Sequence, residues 1–159
     1  MNDKPMDSQT VVRRVSDTEV AVTRTFDAPA RVVFKAWSNA ELFAKWWVPK
    51  SLGATLRSCE MDVRTGGTYR LEFGESAETS FAFHGKYIDV VPSERIVWSN
   101  EESEDGAVST VTFVEKDGKT HLTFSETYPS KEALEANQGG LDGAPEQFEQ
   151  LDALLPTLS

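Results

Sequence analysis

Apolar and polar positions alternate over most of the chain. Glu19 to Phe26 (EVAVTRTF) places Val20, Val22, Arg24 and Phe26 in one phase, a period-two pattern that predicts a strand. Asp27-Ala28-Pro29 breaks the pattern, with Asp27 the expected N-cap and Pro29 at the first helical turn. Val32, Val33, Ala36 and Trp37 then recur at helical spacing and predict a short helix from Pro29 to Trp37. A second short helix is expected from Ala40 to about Trp47, apolar at Leu42, Phe43, Trp46 and Trp47 and stopped by Pro49.

The long middle reads as strands. Ala54 to Val63 runs into the turn Arg64-Thr65-Gly66-Gly67, where paired glycines suit positive φ. Thr68 to Phe73 follows, with Tyr69, Leu71 and Phe73 on one face. Ser80 to Val91, carrying Phe81, Phe83, Tyr87, Ile88 and Val90, turns at Pro92-Ser93 into Glu94 to Asn100. Glu101 to Gly106 is an acidic turn. Ala107 to Glu115 and Lys119 to Tyr128 flank Asp117-Gly118, the strongest hairpin signal in the chain. Ser130 caps a short helix from Lys131 to about Ala136, and Asn137 to Gly140 is a loop. Pro145 to Leu155 predicts a last helix with Phe148, Leu151, Leu154 and Leu155 as its apolar stripe, ended by Pro156.

The order is therefore strand, two short helices, six strands, helix. Antiparallel strands bury one face, and the last helix needs an apolar partner. The expected class is α+β: a curved antiparallel sheet wrapped around a C-terminal helix, with space between them for a cavity. Residues 1 to 17 lack apolar periodicity and read as a flexible tail, an ordered edge strand being the alternative. Residues 18–159 read as a single domain.

Composition narrows the function classes. Sixteen basic against 26 acidic residues give a net charge of -10. That disfavours nucleic acid and anionic membrane surfaces, both of which attract clustered Lys and Arg. A lone Cys59 excludes an intramolecular disulfide and suits a reducing compartment. No apolar run reaches the ~18 residues of a membrane span, and the polar N-terminus lacks a signal-peptide core. A soluble cytoplasmic protein is expected.

Several motifs then occur in a telling order. Arg24-Thr25-Phe26-Asp27-Ala28-Pro29 precedes Val33-Phe34-Lys35-Ala36-Trp37, then Leu42 and Lys45-Trp46-Trp47. Asp62 to Arg70, Gly85-Lys86-Tyr87 and Pro92 to Val97 follow. Ser109 to Phe113, Leu122-Thr123-Phe124, Tyr128 to Ala133 and Gly143 complete the series. From about residue 19 to the end, the chain resembles the activator of heat-shock-protein-90 ATPase homologue family, within the START-like or SRPBCC superfamily. The resemblance implies a helix-grip fold (START/Bet v-like) with an internal cavity. It departs at Val48, where many relatives carry Gly, and at Ala144, where many carry Trp.

Candidate chemistry is sparse. His84 and His121 are out of phase with their apolar neighbours and are expected on the outer face. Zinc needs three or four protein ligands, and no short ligand spacing occurs, so neither metal nor cofactor is expected. There is no nucleophile elbow, and Gly66-Gly67 lacks a P-loop lysine. Cys59 reads as a small core residue, and Glu72 as outward-pointing. Arg64 and Arg70 read as structural, pairing with carboxylates such as Asp62. Glu126 differs: it is in phase with Leu122 and Phe124, so its carboxylate is expected on the apolar face, as a candidate acid, base or ligand anchor.

The leading expectation is a non-enzymatic domain that binds a small apolar or amphipathic ligand. Its expected lining is Trp37, Trp46, Tyr69, Leu71, Phe73, Trp98, Phe113, Phe124, Glu126 and Phe148. The alternatives are a stress-response protein acting on a chaperone, as the family name implies, and a polyketide cyclase-like enzyme using Glu126. A homodimer is a further expected partner state.

Overall fold

The computed structural model describes residues 10–48, 56–74, 81–101, 106–136 and 144–158. The strands are β1 (Val11–Arg14), β2 (Glu19–Phe26), β3 (Leu56–Met61), β4 (Thr68–Phe73), β5 (Phe81–Val91), β6 (Arg95–Ser99), β7 (Val108–Lys116) and β8 (Lys119–Thr127). The helices are α1 (Ala30–Ser38), α2 (Ala40–Trp46), α3 (Lys131–Ala136) and α4 (Ala144–Leu154), the last continuing into a 3-10 turn at Leu155–Thr157.

The eight strands form one sheet in the order β1-β2-β8-β7-β6-β5-β4-β3, and every pairing described is antiparallel. Register shifts between Leu56 and Ser58 and between Tyr87 and Asp89 add the local twist that lets such a sheet curve. The inner face carries Val22, Leu71, Trp98, Val111, Phe113, Leu122 and Phe124, all buried in one core with Phe148 and Leu151 of α4. α1 lies on β7 and β8, α2 on β3, and α4 on α2 and β2. This is the expected α+β helix-grip arrangement.

Two hydrogen-bonded side chains tie the helices together. Gln150 Nε2 donates to the carbonyls of Trp46 and Val48, each at 2.9 Å, and Gln147 Nε2 donates to that of Trp47. The open carbonyl end of α2 is thus closed by α4, which fixes two short helices that have little stability alone.

Three expectations need correction. Val11–Arg14, assigned to the tail, form β1, pairing Val11 with Thr23 through Arg14 with Val20. All four side chains are exposed, so no buried face imposes a period on the sequence. Secondly, Asp27 does not cap α1. Pro29 occupies that position without a side-chain bond, and the Ala30 amide donates instead to Glu115 Oε1 of β7 at 2.9 Å. Thirdly, only Gly66 of the glycine pair has positive φ, at 90°. Gly67 is needed for close approach, because a Cβ there would lie 2.0 Å from the Asp62 carbonyl oxygen. The Asp117-Gly118 turn has both residues at positive φ, 56° and 80°, as the tight hairpin requires. Pro49, Ala54, the acidic stretch 102–105, the loop 137–140 and Gly143 lie outside the described residues.

Candidate functional site

The site is built around one indole. α1 drops Trp37 onto the inner face, where it is 2% exposed. Its ring lies 4.7 Å from that of Trp46, 6.1 Å from Trp98, 5.8 Å from Phe124, and 6.4 Å from both Phe113 and Phe148. Six of the expected lining residues therefore converge on a single point. Most contacts are edge-to-face, while Trp98 and Phe124 stack at 5.8 Å. Phe43 and Trp47 stack at 4.6 Å beside them and were absent from the expected set, although Phe43 stands in the apolar stripe of α2 and Trp47 caps its C-terminus.

Tyr69, Leu71 and Phe73 extend the inner face along β4, all buried. Phe73 meets Phe83 at 5.4 Å, and Tyr69 meets Tyr87 at 5.7 Å. Phe83 shares this face yet is 38% exposed. Tyr69 reaches across β5 because Gly85 leaves room for it: a Cβ there would sit 1.9 Å from the Ser99 carbonyl oxygen and 3.0 Å from the tyrosine ring.

Two buried indoles differ in one respect. Trp46 Nε1 donates to the Ala36 carbonyl at 3.0 Å. No oxygen or nitrogen among the described residues accepts from Trp37 Nε1. A buried donor without an acceptor costs about 1–3 kcal/mol, so such groups are uncommon in a settled core.

A hydrogen-bonded row crosses the same face where β7 begins and β8 ends. Tyr69 OH lies 2.9 Å from the Ser99 carbonyl and 3.0 Å from Asn100 Oδ1, two acceptors that share its single hydrogen. Asn100 Nδ2 donates to Ser109 Oγ at 3.0 Å, and Ser109 Oγ donates to Glu126 Oε2 at 3.4 Å. From the other side, Tyr128 OH donates to Glu126 Oε1 at 2.9 Å. Burial pushes the Tyr128 hydroxyl well above the usual tyrosine range, and the Glu126 carboxylate pushes it further. Glu126 is half-buried on the face its phase predicted. Asn100, Ser109 and Tyr128 were absent from the expected set. The signal was present for all three: Asn100 is in phase with Ile96 and Trp98, Ser109 with Val111 and Phe113, and Tyr128 with Phe124 and Glu126.

The remaining polar groups lie elsewhere. His84 and His121 are exposed, and His121 Nδ1 lies 3.0 Å from Thr25 Oγ1. Arg64 pairs with Asp62 at 2.9 Å, and Arg57 with Glu72 at 3.6 Å. Cys59 packs against the core, 3.4 Å from Met61 Sδ, and burial pushes its thiol up to about 11. Among the described residues, no three His, Cys, Asp or Glu side chains gather as a metal site would require. No described helix is long and apolar enough to cross a membrane.

The model of the family described as Activator of Hsp90 ATPase homolog 1-like protein matches residues 27–156, most of the chain. The chain belongs to this family. The Activator of Hsp90 ATPase homolog 1-like fold recurs in solved structures. A crystal structure of a Rhodobacter sphaeroides protein superposes with a TM-score of 0.83 at 20% identity, covering 95% of this chain and 100% of that one. One from Mycobacterium smegmatis gives 0.77 at 26% identity, over 93% and 98% of the two chains. One from Chromobacterium violaceum gives 0.71 at 27% identity, over 86% and 96%. No curated protein matches the chain. Ala144 is fully buried at the start of α4, and Val48 is half-buried against the core.

Proposed function

We propose that this chain binds a small amphipathic molecule, without chemical conversion, on the inner face of its sheet. The observation that carries the reading is the joint lining of that face: a cluster of aromatic rings about Trp37, and a hydrogen-bonded row ending on Glu126. Rings supply apolar contact over a large area, and a few fixed polar groups orient what binds. Two hydroxyls already donate to Glu126, which suits it to anchoring rather than to shuttling a proton.

Native mass spectrometry compared with the denatured mass tests this and reports oligomeric state together. A retained mass that extracts into organic solvent supports a carrier or sensor. A clean protein mass, with no rise in melting temperature across fatty acids and polycyclic aromatics, overturns the reading. Lost turnover in Glu126→Gln with binding retained would replace it by an acid–base enzyme. The family's description supplies a chaperone partner, and an unchanged rate in a chaperone ATPase assay removes that reading for this chain.

A further inference from the structure

The outward face of the sheet divides into a charged half and an uncharged half. On β3, β4 and β5 the outward positions include Glu60 beside Arg70 and Thr68 beside Lys86. On β2, β8 and β7 the register builds a different surface. Its central row is Thr23, Thr123 and Thr112, on three neighbouring strands. The row on one side is Ala21, Ser125 and Thr110, and on the other Thr25, His121 and Val114. All nine alternate with core residues of the same strands, so they point away from the helices. None is Asp, Glu, Lys or Arg, in a chain that is 26% charged. Val11 of β1 lies beside Thr23, and Val97 of β6 beside Thr110, which widens the uncharged area to five strands. Val11 and Val114 are exposed, Val114 at 60%.

We propose that this uncharged half of the outward face is where two copies of the chain meet, as a reversible dimer with a dissociation constant of about 1–100 μM. Charge selects the partner. Each copy carries a net charge of -10, so two copies repel except where neither presents charge. Loss of charged residues is also the compositional mark of an interface centre. Hydroxyl chemistry points the same way. A threonine both donates and accepts, so a row of them can bond to an identical row across a two-fold axis, which a row of Lys or Glu cannot. The methyl groups of Thr and Val fill the space between such sheets. Five strands about 4.8 Å apart, over six residues of about 3.3 Å, cover roughly 480 Å² as a flat area. Side-chain relief raises this towards the roughly 600 Å² per partner of small specific interfaces, which sets the modest affinity.

Sedimentation equilibrium of the full chain tests the proposal. The wild type should dimerise, and more tightly at high salt than at low, because salt screens the repulsion and the interface holds no ion pair to weaken. Thr123→Lys places like charges against each other at the two-fold axis and should raise the dissociation constant about a hundredfold or more. Ala82→Lys adds the same charge beside Glu72, on the charged half, and should leave the dimer intact. Val114→Lys is a second disrupting variant whose exposed side chain carries little of the folding energy.

A further measurement needs no variant. A soluble gadolinium chelate should relax the Val114 methyl resonances less in the dimer than in dilute monomer, with the exposed Phe83 ring of the opposite face unchanged. A dimer that survives both Thr123→Lys and Val114→Lys is held by another face, and the proposal is overturned. A dimer that weakens with added salt is held by ion pairs, with the same consequence. A wild type that stays monomeric to about 1 mM also overturns it, and leaves a foreign protein as the occupant to seek.

Discussion

Arg24 of β2 and Asp152 of α4 face each other at 3.1 Å, joining the sheet to the helix it grips. Arg24 stands on the inner face, 9% exposed, with its guanidinium 5.5 Å over the Phe26 ring and a further bond to Thr10 Oγ1 at 3.0 Å. A buried cation is tolerable only while its partner remains. Asp152→Ala is expected to destabilise the fold by roughly 1–2 kcal/mol, below the cost for a fully buried pair because Asp152 is half-exposed. Adding Arg24→Met to Asp152→Ala should recover part of the loss. Urea denaturation of the wild type, the single variant and the double variant checks this, and an additive double would contradict the coupling.

The start of α1 takes its cap from another element. Glu115→Ala removes the acceptor of the Ala30 amide and is expected to cost about 1 kcal/mol. Asp27→Ala should change stability by less than about 0.5 kcal/mol. Comparing the two melting temperatures decides whether the cap is local or borrowed from β7.

Three glycines predict a graded series. Gly66→Ala meets no neighbour within 4 Å but strains a backbone at φ 90°, for an expected loss of about 1 kcal/mol. Gly67→Ala and Gly85→Ala drive a Cβ to 2.0 Å and 1.9 Å from backbone oxygens that cannot swing aside. Losses upwards of about 3 kcal/mol are expected for both. Chemical denaturation should therefore rank Gly66→Ala well above the other two.

Cys59 should report its burial through pH. Its thiol titrates at about 11 in the folded chain against an ordinary value of 9.0. The unfolded chain therefore loses this proton first, and the contribution to stability falls as pH rises from about 9 to about 11. Alkylation at pH 8 should be slow in native protein and fast in denaturant. Rapid native labelling at pH 8 would contradict the raised value.

Tyr128 offers a direct reading of the polar row. Burial is the larger cause of its upward shift, and Glu126 adds charge and an accepted hydrogen bond. Glu126→Gln removes the charge. Tyr128 should then ionise at lower pH than in the wild type yet still above the ordinary tyrosine value of 10.0. Ultraviolet titration of the phenolate, with Tyr128→Phe identifying the signal, measures the change.

The elements were legible because their signals are local. Period-two alternation marks β2, β4, β7 and β8, and Asp117-Gly118 marks the hairpin between β7 and β8. The same phase put Glu126 on the inner face and His84 and His121 outside. The rings of Trp37, Trp46, Trp98, Phe113, Phe124 and Phe148 were picked for size and phase, and they do meet.

What only the tertiary structure decided depends on partners far apart in the chain. β1 exists because β2 offers a free edge, and its exposed side chains leave no period to read. The α1 cap comes from Glu115, 85 residues on, and the Arg24 partner lies 128 residues away. Whether a buried N–H finds an acceptor is equally non-local, so identical indoles at Trp37 and Trp46 end differently. Sequence phase fixes which face a side chain takes. Which atom it meets there depends on the closure of the whole sheet around its helices, because a hydrogen bond is decided by tenths of an ångström.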